Sequence, residues 1–337
     1  MAQGEFPPHG HQVSISVVMA AYDASAFIID ALGSIAAQTM GDFEVLIIDD
    51  ASTDDTAAQA EAFARHDPRF TVLRHDANAG PSAARNTGIA SAAAPWIAFC
   101  DADDVWFPTK LEEQTRYIAQ FDGSLAEPLM GVGCWGYRIN ARGKTIDRAR
   151  PAAMSTVDEF VKRRDQGLPI VMGSSSVVMR RDSILDAGGF REEFRQAEDL
   201  DLWTRVAERG IIVNFPDYLC AYRLHGSSLT DQGFIEQMIN IDRIGENTRR
   251  ARRGEPELSY AEYCQMRQRD APQQWNRELR RWRARAAYRR ASVALANRRY
   301  LRGAASLLVL TARAPGVALG GLSRQVRQRL RIGAERH

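Results

Sequence analysis

Residues 96–104 read Trp96-Ile97-Ala98-Phe99-Cys100-Asp101-Ala102-Asp103-Asp104. An apolar run of five residues turns at once into a cluster of three carboxylates. Short apolar runs of this kind fill buried strands. The abrupt change to acid marks where the strand leaves the sheet. Carboxylates this close repel one another unless a cation sits among them. Their hard oxygen atoms suit Mg2+ or Mn2+, which complete their shells with phosphate oxygens and water. An isolated D-x-D is more often a solvated turn that caps a helix. Its place directly behind a buried strand favours the metal.

Upstream, the same design repeats. Residues 13–20 (VSISVVMA) and 43–48 (FEVLII) are β-branched, apolar strands, and 70–74 is a shorter one. Between them, residues 25–38 carry Phe27, Ile28, Ala31, Leu32 and Ile35 at helical spacing. Ser52 and Thr53 are expected to cap a helix over 54–65, and Pro81 opens another to about residue 93. Alternating strands and helices predict a parallel α/β sheet, whose ligands bind beyond the carboxyl ends of the strands. Tyr22-Asp23, Asp49-Asp50, the stretch 78–80 and the cluster 101–104 all sit at such ends and should converge.

Downstream, residues 111–121 read as helix, 130–140 and 175–180 as strands, 198–209 as an amphipathic helix and 219–224 as a short strand. Glu198-Asp199 opens that second helix. Capping is the ordinary role for acids there, but a positioned carboxylate can also take a proton from an attacking hydroxyl. Arg205 lies further along and is expected to orient a carboxylate or meet phosphate. Gly80 before a proline-initiated helix permits close backbone approach to an anion, with Arg85 one turn in. Arg223 and His225 face one side of the last strand, so His225 is a candidate to complete a metal or diphosphate site.

These stretches, in this order over residues 13–228, resemble the family 2 glycosyltransferases. The resemblance rests on residues 16–23, 34–39, 43–54, 80–86, 99–104 and 198–203. It implies the α/β GT-A nucleotide-diphospho-sugar transferase fold, a mostly parallel central sheet flanked by helices, here with a helical C-terminal extension. It implies an inverting, metal-dependent, hexosyltransferase-type enzyme that uses a nucleotide-diphosphate sugar, by family weight a UDP-sugar. The acceptor would be a hydroxyl of a saccharide or lipid-linked saccharide, in cell-surface polysaccharide or glycoconjugate synthesis. By the resemblance Asp199 is the catalytic base, supported by Glu198, Trp203 and Arg205. Ala20, Tyr22, Asp23, Asp50, Gly80, Arg85, Asp101, Ala102 and Asp103 would bind the donor. Asp103, Asp104 and His225 would hold Mg2+ or Mn2+. Gly173, Ser174 and Ser175 would line the acceptor side. Many members carry Asn where Asp23 stands.

Other functions fit less well. A sugar nucleotidyltransferase would want a glycine-rich basic loop where Ala20-Ala21-Tyr22-Asp23 stands. A non-catalytic nucleotide-sugar-binding scaffold would not need the carboxylates. A dinucleotide-dependent dehydrogenase would need G-x-G-x-x-G after the first strand.

The net charge of +2 conceals a division. From Asp231 to His337 there are 23 arginines, no lysine and 10 acids, near +13, which leaves about −11 for the rest. The chain is therefore expected to comprise a disordered segment 1–12, a GT-A domain 13–228 and an arginine-rich helical region 229–337. That last region would serve as a packed extension or as an attachment to an anionic membrane surface. Nucleic-acid binding is not expected, because no recognition motif accompanies the charge. Cys100, Cys134, Cys220 and Cys264 lack metal-ligand spacing and read as free thiols. With neither a signal peptide nor a long apolar run, the expected location is cytoplasmic, peripheral on the inner face of the plasma membrane.

Overall fold

The structure, a computed structural model, describes residues 14–121, 123–150, 154–225 and 233–298. The leading segment 1–12 and the C-terminal apolar and basic runs at 301–310 and 324–331 lie outside the described residues.

The first half alternates as expected: β1 (Ile15–Ala21), α1 (Ile28–Ala36), β2 (Phe43–Asp49), α2 (Thr56–Ala64), β3 (Phe70–Arg74), α3 (Pro81–Ser91) and β4 (Trp96–Phe99). Strand β1 pairs in parallel with β2 and with β4, and β2 with β3. Helices cover both faces of this sheet, so Val17, Val45, Ile47 and Ile97 are fully buried and the strands read as unbroken apolar runs. The predicted cap of α2 is corrected. Asp54, not Ser52 or Thr53, accepts the Thr56 N–H, at 2.9 Å, and Asp55, the residue that precedes the helix, makes no side-chain cap bond.

Beyond β4 come β5 (Val105–Trp106), α4 (Lys110–Phe121), β6 (Leu129–Asn140), β7 (Thr145–Ala149), α5 (Val157–Asp165), a 3-10 turn at Ser174–Ser176, β8 (Val178–Arg180), α6 (Arg181–Asp186), α7 (Glu198–Ala207) and β9 (Ile211–Leu224). The sheet continues from β4 through β8, β6 and β9 to β5, with β7 on β6. Strand β8 runs antiparallel to β4 and β6, while β6 and β9 are parallel. The central sheet is thus parallel from β3 through β2 and β1 to β4 and mixed beyond β4.

Three helices follow: α8 (Phe234–Arg252), α9 (Tyr260–Asp270) and α10 (Pro272–Ala296). They are not a separate body. Ile244 of α8 belongs to the main core, whereas Ile239, Tyr263, Trp275 and Trp282 form a small core of their own. At the far end of α10, Asn297 donates to the Leu224 carbonyl at 3.0 Å. The helical region therefore docks beside the last sheet residue before His225.

Candidate active site

The carboxyl ends of β1, β2 and β4 do converge, through hydrogen bonds. After β1, Tyr22 is 49% exposed at the rim, and Ala20 is half-buried at the strand end. Asp23 has φ of 45° and Ala51, opposite it, 58°. Both are left-handed conformations that a side chain adopts only when the surroundings hold it. Here the Asp23 N–H donates to Ser52 Oγ at 3.1 Å, and the Thr53 N–H donates back to Asp23 Oδ1 at 2.8 Å.

Asp50 is turned inward. Its Oδ1 lies 2.7 Å from His75 Nδ1 and accepts the Ala79 N–H, while Oδ2 accepts the Gly80 N–H at 2.7 Å. Its carboxylate is the anchor of the loop 75–80 instead of an open contact for a base. Gly80 sits at φ 90°, ψ 166°, which only glycine adopts freely, and delivers the chain into α3. His75, absent from the sequence prediction, links Asp50 to Thr87 Oγ1, 3.0 Å from its Nε2.

In the aspartate loop the three carboxylates face different ways. Asp101 accepts from Arg85 Nη2 at 2.9 Å. Asp103 Oδ2 lies 2.7 Å from His225 Nε2, whose ring packs on Phe27. Asp104 is buried, and its two oxygens accept from Ser175 Oγ (2.6 Å) and from the Arg223 N–H (2.8 Å). Burial, with Asp103 and Asp101 adding repulsion, pushes the Asp104 carboxyl well above the ordinary range. Burial raises Asp101 too, against the pull of Arg85.

Two predicted roles are corrected here. Asp104 is a strut, not an open metal ligand, because both its oxygens are engaged below the loop. Ser175 is fully buried and donates to Asp104 while accepting the Asp101 N–H, so it supports the loop from beneath and does not line an acceptor surface. Ser174 is buried beside it. Gly173 is needed for packing: a Cβ there would fall 2.6 Å from the Tyr222 ring.

Among the described residues no group of three or more His, Cys, Asp or Glu side chains is arranged around a metal. Mg2+ and Mn2+ need only one or two protein donors beside a diphosphate. Asp103 and His225, brought together at a half-buried edge, fit that smaller demand.

The second part of the site enters on α7. Ala197, just before it, has φ of 64° and no side chain caps the helix. Glu198 accepts from Arg85 Nη1 at 2.7 Å. One buried guanidinium thus joins the aspartate loop to the Glu-Asp pair. Burial opposes its charge, but Asp101 and Glu198 more than offset that and raise its pKa. Arg85 is thereby committed to two carboxylates, where the sequence predicted a contact with the nucleotide. Asp199 accepts the Leu200 N–H at 2.8 Å. Burial first, then Glu198, push its carboxyl up to about 7, against the pull of Arg85. Trp203 is fully buried against Phe99 and Phe190 and fixes the helix to the sheet. Arg205 does orient a carboxylate, that of Asp201 at 2.7 Å, and it also donates to the carbonyls of Ala187 and Gly189.

A sequence model described as glycosyl transferase family 2 matches residues 16–188. The chain is similar to the succinoglycan biosynthesis protein ExoU of Rhizobium meliloti, 31% identical over 247 residues that cover 70% of this chain and 68% of that one. It is similar to the UDP-Glc:alpha-D-GlcNAc-diphosphoundecaprenol beta-1,3-glucosyltransferase WfgD of Escherichia coli, 27% identical over 234 residues, 69% of this chain and 85% of that one. An uncharacterized glycosyltransferase of Rickettsia felis is 29% identical over 65% of this chain, and the chain spans only 34% of its length. Among solved structures, S. aureus TarS 1-349 in complex with UDP-GlcNAc superposes with a TM-score of 0.54 at 17% identity, over 89% of this chain and 92% of that one. The mannosyltransferase PcManGT from Pyrobaculum calidifontis, in complex with GDP-Man and Mn2+, gives 0.55 at 18% identity, over 94% and 88%. At these identities the structural likeness is one of fold, the GT-A arrangement.

Proposed function

As the chain belongs to glycosyl transferase family 2, we propose that it transfers a hexose from a UDP-sugar to a hydroxyl of a saccharide or lipid-linked saccharide, with inversion, in the synthesis of a cell-surface polysaccharide. The observation that carries this is the Arg85 bridge. It ties Asp101, at the donor loop, to Glu198, the neighbour of a carboxylate whose pKa lies near the working range of a base. The names of WfgD and ExoU, and the UDP-GlcNAc bound to TarS, support the substrate class.

Each residue then has a task. Tyr22, Asp23 and the loop anchored by Asp50 and Gly80 receive the nucleotide at the rim. Asp199 accepts the proton of the acceptor hydroxyl as that oxygen attacks the anomeric carbon. The bond to the diphosphate breaks with its electron pair leaving on the diphosphate, and attack from the opposite face inverts the carbon. Arg85 holds the Glu198 carboxylate turned aside, which leaves Asp199 to take the proton. Asp103 and His225 would hold Mg2+ or Mn2+, which when bound supplies positive charge to the leaving diphosphate.

The helical region supports a peripheral attachment. Arg277, Arg280, Arg281, Arg283, Arg285 and Arg290 of α10 are exposed, and among the described residues none of them forms an ion pair. A lipid-linked acceptor would bring such a helix to an anionic surface, where each arginine contributes about 1 kcal/mol. No helix of the described residues is long and apolar enough to cross a membrane.

The test is hydrolysis of a panel of UDP-, dTDP- and GDP-sugars by the full chain with Mn2+. A UDP-sugar should turn over fastest and release UDP. Release of sugar 1-phosphate and a nucleoside monophosphate instead, or no turnover of any donor, would overturn the proposal.

A further inference from the structure

Residues 190–197 form a strap that ends where α7 begins, two residues before Asp199. Its start is held by the donor side: Asn86 of α3 exchanges two hydrogen bonds with the backbone of Phe190, at 2.8 and 2.9 Å. The rest is held by the C-terminal region. Asn240 of α8 donates to the Gln196 carbonyl at 2.9 Å. Arg243, one turn on, lies over the Phe194 ring at 3.9 Å and reaches Glu193 at 3.3 Å. Arg191 forks onto Glu257, in the α8–α9 connection, at 2.6 and 3.2 Å. That connection is in turn bound to α8 by the two hydrogen bonds between Asn247 and Leu258.

The strap needs such a hold. It delivers the chain through Ala197 in a left-handed conformation, and α7 has no side-chain cap of its own to fix where it starts. Asn240 and Arg243 are also costly choices. They are 1% and 2% exposed, and among the described residues Asn240 Oδ1 and Arg243 Nε have no hydrogen-bond partner. Apolar side chains of similar size would pack there without that cost. Direction, which a polar contact supplies and an apolar one does not, is what these two side chains add.

We propose that Asn240 and Arg243 are positioning residues for Asp199: helix α8 holds the strap 190–197 and so sets the place and the solvent access of that carboxylate. The C-terminal region is then part of the catalytic unit. The proposal rests on the assignment of Asp199 as the base. Besides Asp199 itself, the charged groups that face it are Glu198 on α7, Arg85 on α3 and Asp101 after β4, and none of them touches Asn240 or Arg243.

The experiment is a carboxyl-carbon NMR titration of the full chain labelled at aspartate. The Asp199 signal is assigned by its loss in Asp199→Asn. In Asn240→Ala and in Arg243→Met, the strap should loosen, more water should reach the half-buried Asp199, and its titration midpoint should fall by about one unit, a tenfold change in ionisation constant. Melting temperature is read alongside, and Glu257→Gln, at an exposed carboxylate, gives a third variant that keeps the fold. An unchanged midpoint in the folded variants would overturn the proposal. Failure of the base assignment is a separate result: Asp199→Asn would then turn over nucleotide sugar normally, whatever the midpoints do.

Discussion

The aspartate loop after β4 and the helix α7 hold their carboxylates by opposite means. Asp104 and Asp50 have both oxygens engaged by backbone or side-chain donors, which makes each a rigid part of its loop. Among the described residues Asp199 accepts one hydrogen bond, from the next residue on its own helix, and burial and Glu198 raise its pKa against the pull of Arg85. The difference separates two jobs that look alike in the sequence. A fully bonded carboxylate builds the cradle. An under-bonded one in a low-dielectric corner is free to take a proton. Arg85 is the joint between them.

Removing that joint should have the largest effect on the fold. Arg85→Met leaves Asp101 and Glu198 facing one another without compensation, and should cost about 3 kcal/mol, the lower end for a broken buried pair because Asp101 is partly open. Thermal unfolding with and without UDP reads it. A melting temperature within a degree of wild type would mean that the two regions are not mechanically joined. Next, Gly80→Ala tests the rigidity of the donor side. A Cβ meets nothing there, but the φ of 90° is strained for alanine, so a loss of about 2 kcal/mol is expected, with weaker UDP binding by calorimetry. An effect on stability without one on UDP would separate the loop from the nucleotide.

The smallest effect concerns the other side. The folded protein holds the Asp199 proton more tightly than the unfolded chain does. Stability from this group is therefore present below the ordinary carboxylate range and is lost as pH rises towards about 7. Asparagine stays neutral throughout. Asp199→Asn should be more stable than wild type by about 1 kcal/mol near pH 8, a figure reduced for the partial solvent contact of the group, and the gain should vanish in acid. Melting curves across pH measure it, and a constant difference would contradict the raised pKa.

How far the sequence could be read follows from the same physics. Strands β1 to β4 were legible because both faces are covered, so each is an apolar run bounded by polar residues. The first half of β9 was not. Pro216 interrupts it, and the pairing with β6 slips there, from Cys134↔Phe215 to Trp135↔Tyr218. The acidic cluster, the Glu-Asp pair and His225 were legible as a set. Their orientations were not, since which of Asp103 and Asp104 faces out depends on Ser175 and Arg223, far along the chain. His75, Asn240 and Arg243 left no signal, because a polar side chain that bonds a distant loop follows no period.

The central claim is that Asp199 takes the proton while the donor site stands independently of it. It is tested most directly by the turnover of Asp199→Asn on the nucleotide sugar that wild type uses best, with UDP affinity measured on the same preparation. Turnover should fall by about a thousandfold, the middle of the range for a lost general base, with UDP affinity within about twofold of wild type. Turnover near the wild-type value, or a loss of UDP binding as large as the loss of turnover, would contradict the account.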